Sequence, residues 1–388
     1  MQEMITIKKS VYIFALHLAY GGVEKAVSLF ANMLCSDFDV HIISVYNMPG
    51  SPAYEISEKV KVEYLLKDIP NREEFKTAVR NLNVLRILTE GFRAVKILYL
   101  KKIRVIKAVR KIKEGVIVTT RDEDAILASA FGRKETLKIA QLHHDYAVKS
   151  KFVRHFKYNY GNIDVLTLLS PKMADEISRA LGNRHKMKVM YVPNFIETIP
   201  PMPSITDKEK TVLAVGRLDP IKGFDRLIES FCRVHENAEE WKLVIAGDGN
   251  EYDNLRELID RLHAGEYIEL AGKLSPDEVA SEMNRAGIFA LSSYSEGFPF
   301  VLLEALCGAL PVAAYDIRSG LDMIIRDGEN GFLVSDREEF EKCLLKLMND
   351  SKLRESMSLN AYKKTEEFSK ERLRTTWLNI IEGTSNGK

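Results

Sequence analysis

The chain has 388 residues, more than the ~250–300 over which one hydrophobic core usually grows, so two domains are expected. Hydrophobic residues make up 46% and charged residues 29%, a globular balance that excludes a disordered or fibrous chain. Lysine and arginine (56) nearly equal aspartate and glutamate (55), so no overall field draws in nucleic acid and any basic feature is local.

The apolar stretch Val11 to Ala19 follows Lys8-Lys9 as in a signal peptide, but Gly21-Gly22-Val23-Glu24-Lys25 follows with no small-residue cleavage pattern. A first buried strand is expected there. Further strands are expected at 40–45, 60–65, 116–119, 138–142 and 165–169, then at 211–215, 242–246, 267–271, 287–291 and 311–315. Helical-period segments separate them, the signature of α/β units with one open parallel sheet per half. The proline-dense stretch from Val192-Pro193 to Pro203 cannot continue a helix or a central strand and reads as the linker. No apolar run reaches the ~18 residues of a membrane span. Cys35, Cys232, Cys307 and Cys343 form no C-x-x-C pair and read as reduced core thiols of a cytoplasmic protein.

Two features of the first half admit two readings each. From Arg93 to Lys113 there are nine lysines and arginines and no acidic residue, with Val95, Leu98, Tyr99, Ile106, Val109 and Ile112 expected on one helical face. Such a helix either lies on an anionic membrane or packs on the sheet with its basic side in water. Asp122-Glu123-Asp124 spells the D-x-D that metal-dependent transferases of another fold use. It precedes a helical pattern, where acidic residues serve the helix dipole, and no metal is expected.

In the second half, strand 211–215 runs into Gly216-Arg217-Leu218-Asp219-Pro220-Ile221-Lys222-Gly223, placing two cations at the carboxyl end of a strand, where open α/β sheets bind ligands. Strand 287–291 leads into Ser295-Glu296-Gly297-Phe298-Pro299, with Pro299 expected as the first residue of a helix that Gly308 and Pro311 stop. A helix start favours a diphosphate through its unpaired N–H groups and dipole. Glu304, five residues past Pro299, lies about 7.5 Å along the axis, within reach of a ribose. Gly247-x-Gly249 lacks the third glycine of a dinucleotide fingerprint, so no nicotinamide cofactor is expected.

The combination of Gly216-Arg217-Leu218 with Lys222-Gly223, Ala246-Gly247-Asp248-Gly249, Glu296-Gly297-Phe298-Pro299 with Glu304 at E-x7-E spacing, and Glu329-Asn330-Gly331-Phe332-Leu333-Val334 resembles retaining glycosyltransferase family 4. That resemblance implies the GT-B architecture, two Rossmann-like domains with parallel sheets facing across a cleft. The expected division is 1–195 on the acceptor side, 196–365 binding the nucleotide sugar, and 366–388 as a helix returning to the first domain. It implies that Arg217 and Lys222 bind the donor diphosphate, Glu304 the ribose, and Glu296 with the Gly297 and Phe298 backbone the donor hexose. Gly216 lies at the first of these turns. Gly21 and Gly22 resemble the family's glycine-rich loop near phosphate and acceptor. A donor-contacting histidine is implied after strand 138–142, namely His143, which directly follows the strand, or else His144.

The implied activity is retaining transfer of a hexose or N-acetylhexosamine, from a UDP-sugar in preference, to a glycan or lipid-linked acceptor in surface polysaccharide synthesis, with no cofactor. The location would be the cytoplasm, at the inner face of the plasma membrane if the basic helix binds it. A sugar-nucleotide epimerase of the same architecture and a non-catalytic sugar-nucleotide-binding protein are the alternatives.

Overall fold

The computed structural model describes residues 8–143, 150–182, 185–317 and 320–383. The chain divides into two compact units, one formed by residues up to Val192 and again from Arg374, the other by Pro193–Leu373.

The first unit runs β1 (Ser10–Ala15), α1 (Gly22–Leu34), β2 (Asp39–Tyr46), β3 (Lys61–Leu66), α2 (Arg72–Arg80), α3 (Val84–Lys111), β4 (Gly115–Thr119), α4 (Asp122–Phe131), β5 (Thr136–Leu142), α5 (Ser150–Asn159), β6 (Val165–Leu168), α6 (Pro171–Leu181) and β7 (Lys188–Tyr191). Its seven strands are parallel, in the order β3-β2-β1-β4-β5-β6-β7. The second unit runs β8 (Thr211–Val215), α7 (Phe224–His235), β9 (Lys242–Ala246), α8 (Tyr252–Arg261), β10 (Ile268–Gly272), α9 (Pro276–Arg285), β11 (Ile288–Leu291), α10 (Phe300–Cys307), β12 (Val312–Tyr315), β13 (Gly331–Val334), α11 (Arg337–Asn349) and α12 (Ser351–Lys364). Six parallel strands lie in the order β10-β9-β8-β11-β12-β13. In each sheet the order reverses beside the unit's first strand, between β1 and β4 and between β8 and β11. At such a switch point the flanking loops part and leave a crevice at the strands' carboxyl ends.

Strand and helix patterns follow from burial on both faces of each sheet. The central strand β11, Ile-Phe-Ala-Leu, is buried at every residue. Helix α7 turns Phe224, Leu227, Ile228, Phe231 and Val234 inward at helical spacing, against a core that includes Trp241 and Phe340. α9 opens with a complete capping box between Ser275 and Glu278.

Helix α13 (Lys370–Glu382) ends the described chain. From Arg374 onward it is part of the first unit: Arg374 Nη2 donates to Asp37 Oδ1 at 2.5 Å, and the rings of Trp377 and Phe30 are 4.5 Å apart.

The structure departs from the sequence reading at three places. The short edge strands β7 and β13 were not expected; three of the four β7 residues are half-buried and one is exposed, so no apolar run marks it. Val95, Leu98 and Tyr99 do not share the buried face of α3, which is formed by Ile97, Val105 and Val109 with Ile112 just beyond the helix. In α10, Pro299 is the N-cap at φ −72°, ψ 112°, not the first helical residue, and Gly308 ends the helix at φ −73° without left-handed backbone. Ala309 takes the left-handed conformation, φ 51°. Gly308 is needed for space instead, because a Cβ there would stand 2.7 Å from the carbonyl oxygen of Met283.

Candidate functional site at the second switch point

The loop after β8 is held against the loop after β9 by backbone alone. Gly216 N–H donates to Ala246 O (3.0 Å) and Leu218 N–H to Asp248 O (2.9 Å). A Cβ on Gly247 would lie 1.8 Å from Gly216 O, and one on Gly249 2.2 Å from Leu218 O. Close packing of two loops therefore accounts for both glycines of the G-x-G pair.

Past Leu218, the Asp219 carboxylate accepts Ile221 N–H (3.3 Å) and caps a 3-10 turn, Pro220–Lys222. Gly223 then enters α7 at φ 61°, a left-handed position, and its Cα faces the neighbouring loop so closely that a Cβ would meet Ser292 O at 2.3 Å. That neighbour is the loop after β11. Tyr294 N–H donates to Ile221 O (2.8 Å), and Ser292 Oγ–H to Lys222 O (2.9 Å).

Across this seam Lys222 Nζ donates to Glu296 Oε1 at 2.6 Å, with the two side chains 22% and 10% exposed. Ser293 Oγ–H donates to the same oxygen, also at 2.6 Å. Glu296 Oε2 takes no donor among the described residues. A charge-assisted pair this short and this shielded fixes both groups in place. Arg217, by contrast, is 73% exposed and pairs with Asp219 (3.0 Å), an interaction that water weakens and an incoming anion can replace.

Arg226, in the first turn of α7, secures the Glu296 loop from below. Its Nε donates to Ser292 O and its Nη2 to Ser293 O, both at 2.7 Å. The guanidinium is stacked between Tyr294 and Tyr315, 3.9 Å and 3.7 Å from their ring centroids. Sequence reasoning missed Arg226, because its role is set by partners 66 and 67 positions away and no local pattern marks it.

Phe298 is buried and packs edge-on against Phe368 (centroids 5.9 Å apart), so its backbone rather than its side chain is available beside Gly297. Helix α10 buries Leu302, Leu303, Ala305 and Leu306, and Glu304 lies with Phe300, Val301 and Cys307 on its partly open side. The structure thus brings Lys222 and Glu296 into contact, sets Gly216 and Arg217 on the same loop, and places Gly297, Phe298 and Glu304 along the element that follows.

The remaining candidates belong to the first unit. His143 is buried at the carboxyl end of β5, and His144 lies outside the described residues. Gly21 caps α1, and Glu24, buried in the first turn of that helix, folds back over it so that a Cβ on Gly21 would be 2.1 Å from Glu24 Oε2. His17 Nδ1 is 3.4 Å from the other oxygen of Glu24. Gly22 has open space at its Cα. The two aspartates of the D-x-D do not converge: Asp122 Oδ1 bonds His155 Nε2 (2.8 Å) and Tyr160 OH (2.7 Å), whereas Asp124 is buried with no hydrogen bond to either oxygen. Burial pushes the Asp124 carboxyl up to about 6.

Residues 195–364, which hold the whole of the β8–β11 site, match the family of glycosyl transferases group 1. The chain is 29% identical over 370 residues to an exopolysaccharide phosphotransferase of Streptomyces coelicolor, covering 92% of this chain but 39% of that one. The chain therefore spans well under half the length of that relative. It is 26% identical over 372 residues, 94% of this chain and 96% of the other, to the GalNAc-alpha-(1->4)-GalNAc-alpha-(1->3)-diNAcBac-PP-undecaprenol alpha-1,4-N-acetyl-D-galactosaminyltransferase of Campylobacter jejuni. Among solved structures, the pneumococcal O-GlcNAc transferase GtfA, in complex with UDP and GlcNAc, superposes with a TM-score of 0.73 at 14% identity, over 98% of this chain and 100% of that one.

The structural likeness shows the fold to be GT-B. The family match and the relatives support a glycosyltransferase.

Proposed function

We propose that the chain is a retaining, family 4-like glycosyltransferase. It moves a hexose or N-acetylhexosamine from a nucleotide diphosphate sugar, a UDP-sugar in preference, to a glycan or lipid-linked acceptor in surface polysaccharide assembly. The observation that carries this reading is the Lys222–Glu296 pair, which sits at a switch point and puts a cation beside a carboxylate with one oxygen open. The UDP and GlcNAc held by the pneumococcal neighbour and the undecaprenol diphosphate in the name of the Campylobacter relative support the choice of donor and acceptor.

In this reading the diphosphate lies over the Gly216–Gly223 loop, where Arg217 and Lys222 offset its charge, and Glu304 holds the ribose. Glu296 and the Gly297–Phe298 backbone hold the hexose. The bond from the anomeric carbon to the phosphate oxygen breaks, and the acceptor oxygen bonds that carbon on the same face. The departing phosphate oxygen takes the acceptor's proton, so the nucleotide diphosphate carries it away. Rate acceleration then comes from orientation and from stabilised leaving-group charge.

A screen of sugar nucleotides with membrane extract as acceptor source, read by the nucleotide released, tests the proposal. Transfer of the sugar alone releases a nucleoside diphosphate, whereas transfer of a sugar phosphate releases a monophosphate. The diphosphate is expected, and its release is expected to fall at least ~10²-fold in folded Arg217→Ala and Glu304→Ala. Monophosphate release, or conversion of the donor sugar with no acceptor present, overturns the proposal.

A further inference from the structure

The outer side of α3 carries an apolar ridge that nothing in the described chain covers. Val84, Leu88, Phe92, Val95 and Tyr99 are each 65–74% exposed. At 100° per residue they fall within an arc of about 80° and extend over about 22 Å of helix. Ile97, Val105 and Val109 are the residues of α3 that face the core, and α2 packs alongside, with Asn71 Nδ2 donating to Glu90 O (2.9 Å) and Oε2 (2.6 Å). Exposed leucines scattered singly are ordinary, but a continuous ridge of this size is the mark of an interaction surface.

Basic side chains flank the ridge. Lys96 stands beside the ridge, Lys102 and Lys107 follow about 4.5 and 12 Å past Tyr99 along the same helix, and none of them has a carboxylate partner among the described residues. Two other cations of the helix are engaged elsewhere: Lys101 pairs with Glu123 of α4, and Arg110 lies 4.9 Å above the ring of Phe131. The only acidic residue of α3 is Glu90, which is held by Asn71 and lies 3.6 Å from Arg93 Nη1.

We propose that this ridge seats the first unit on an anionic lipid bilayer, with Leu88, Phe92 and Val95 entering the acyl boundary and Lys96, Lys102 and Lys107 meeting lipid phosphates. The charge pattern selects the occupant. A second copy of the chain would bring one cation-rich helix against another, whereas an anionic bilayer complements its charge. No described helix is long and apolar enough to cross a membrane. The inference is independent of the donor site, which lies in the other unit.

The test is co-sedimentation of the full chain with phosphatidylcholine vesicles, with and without phosphatidylglycerol, at low and high salt. The wild type is expected to bind only the phosphatidylglycerol vesicles and to leave them at high salt. Leu88→Ser with Phe92→Ser and Val95→Ser, and separately Lys96→Glu with Lys102→Glu and Lys107→Glu, are expected to weaken binding at least ~10²-fold. All six positions are exposed, so folding, checked by circular dichroism, and nucleotide binding are expected to persist. Wild type that fails to bind, or an apolar triple variant that binds as well as wild type, overturns the proposal. So does a wild-type dimer that the apolar variant converts to monomer with no change at vesicles, because the ridge then belongs to a second copy.

Discussion

The ammonium of Lys222 lies 2.6 Å from Glu296 Oε1, joining residues 74 positions apart across the seam between the β8 and β11 loops. The group proposed for the diphosphate and the group proposed for the hexose are therefore one linked pair, and a change to either alters the other's charge balance. Glu296→Gln keeps the shape, removes the negative charge and leaves Lys222 uncompensated. Turnover is expected to fall ~10²-fold while nucleotide affinity holds or rises, as initial rates and calorimetric titration with the nucleoside diphosphate would read. Loss of nucleotide binding with turnover intact would contradict the assignment.

Arg226 is expected to act through position alone. It touches the carbonyls of Ser292 and Ser293, four and three residues before Glu296, and its planar fork between two tyrosine rings has no equivalent in lysine. Arg226→Leu should lower kcat by about ten- to a hundredfold with a smaller effect on donor KM, and Arg226→Lys should recover only part of the loss. A variant that melts earlier but turns over normally would make Arg226 a purely structural anchor.

Much of the candidate site was legible because its groups are local. The E-x7-E spacing, the helix start at Pro299 and the cations after β8 are each set within a few residues, and the apolar runs of the central strands stand out because both faces are buried. What was not legible is long-range. Nothing near Arg226 or Lys222 announces a partner some seventy residues on, and which apolar residues of α3 are buried depends on packing against residues distant in sequence, such as Phe14, Ile43 and Ile117. The edge strands β7 and β13 escaped notice because they are four residues long and half-open to water.

Asp124 makes stability depend on pH in an unusual sense. Burial raises its carboxyl from 3.8 to about 6 in the folded chain, so the folded state holds a proton that the unfolded state has released. Its contribution to stability is full below about pH 4 and is lost as pH rises through about 6, a loss of at most about 3 kcal/mol. Asp124→Asn is expected to raise the melting temperature at pH 8 and to leave it nearly unchanged at pH 4, measured by thermal unfolding of both proteins across that range. A lower melting temperature for the variant at pH 8 would mean that the carboxylate is stabilised by its surroundings.

Activity is expected to persist in excess chelator. Arg217, Lys222 and the helix starts at α7 and α10 offer positive charge to a diphosphate, and Asp122 is engaged by His155 and Tyr160. Rates measured with chelator and after adding back Mg2+ or Mn2+ should agree within about twofold. Strict dependence on the ion would mean that the charge on the leaving group is met by metal.

The central claim, sugar transfer with retention, is tested most directly by proton NMR of the reaction as it proceeds with the donor that the screen selects. An anomeric signal of the product with the donor's configuration, rising as the nucleoside diphosphate accumulates, is the predicted result. A product of opposite configuration would contradict the account.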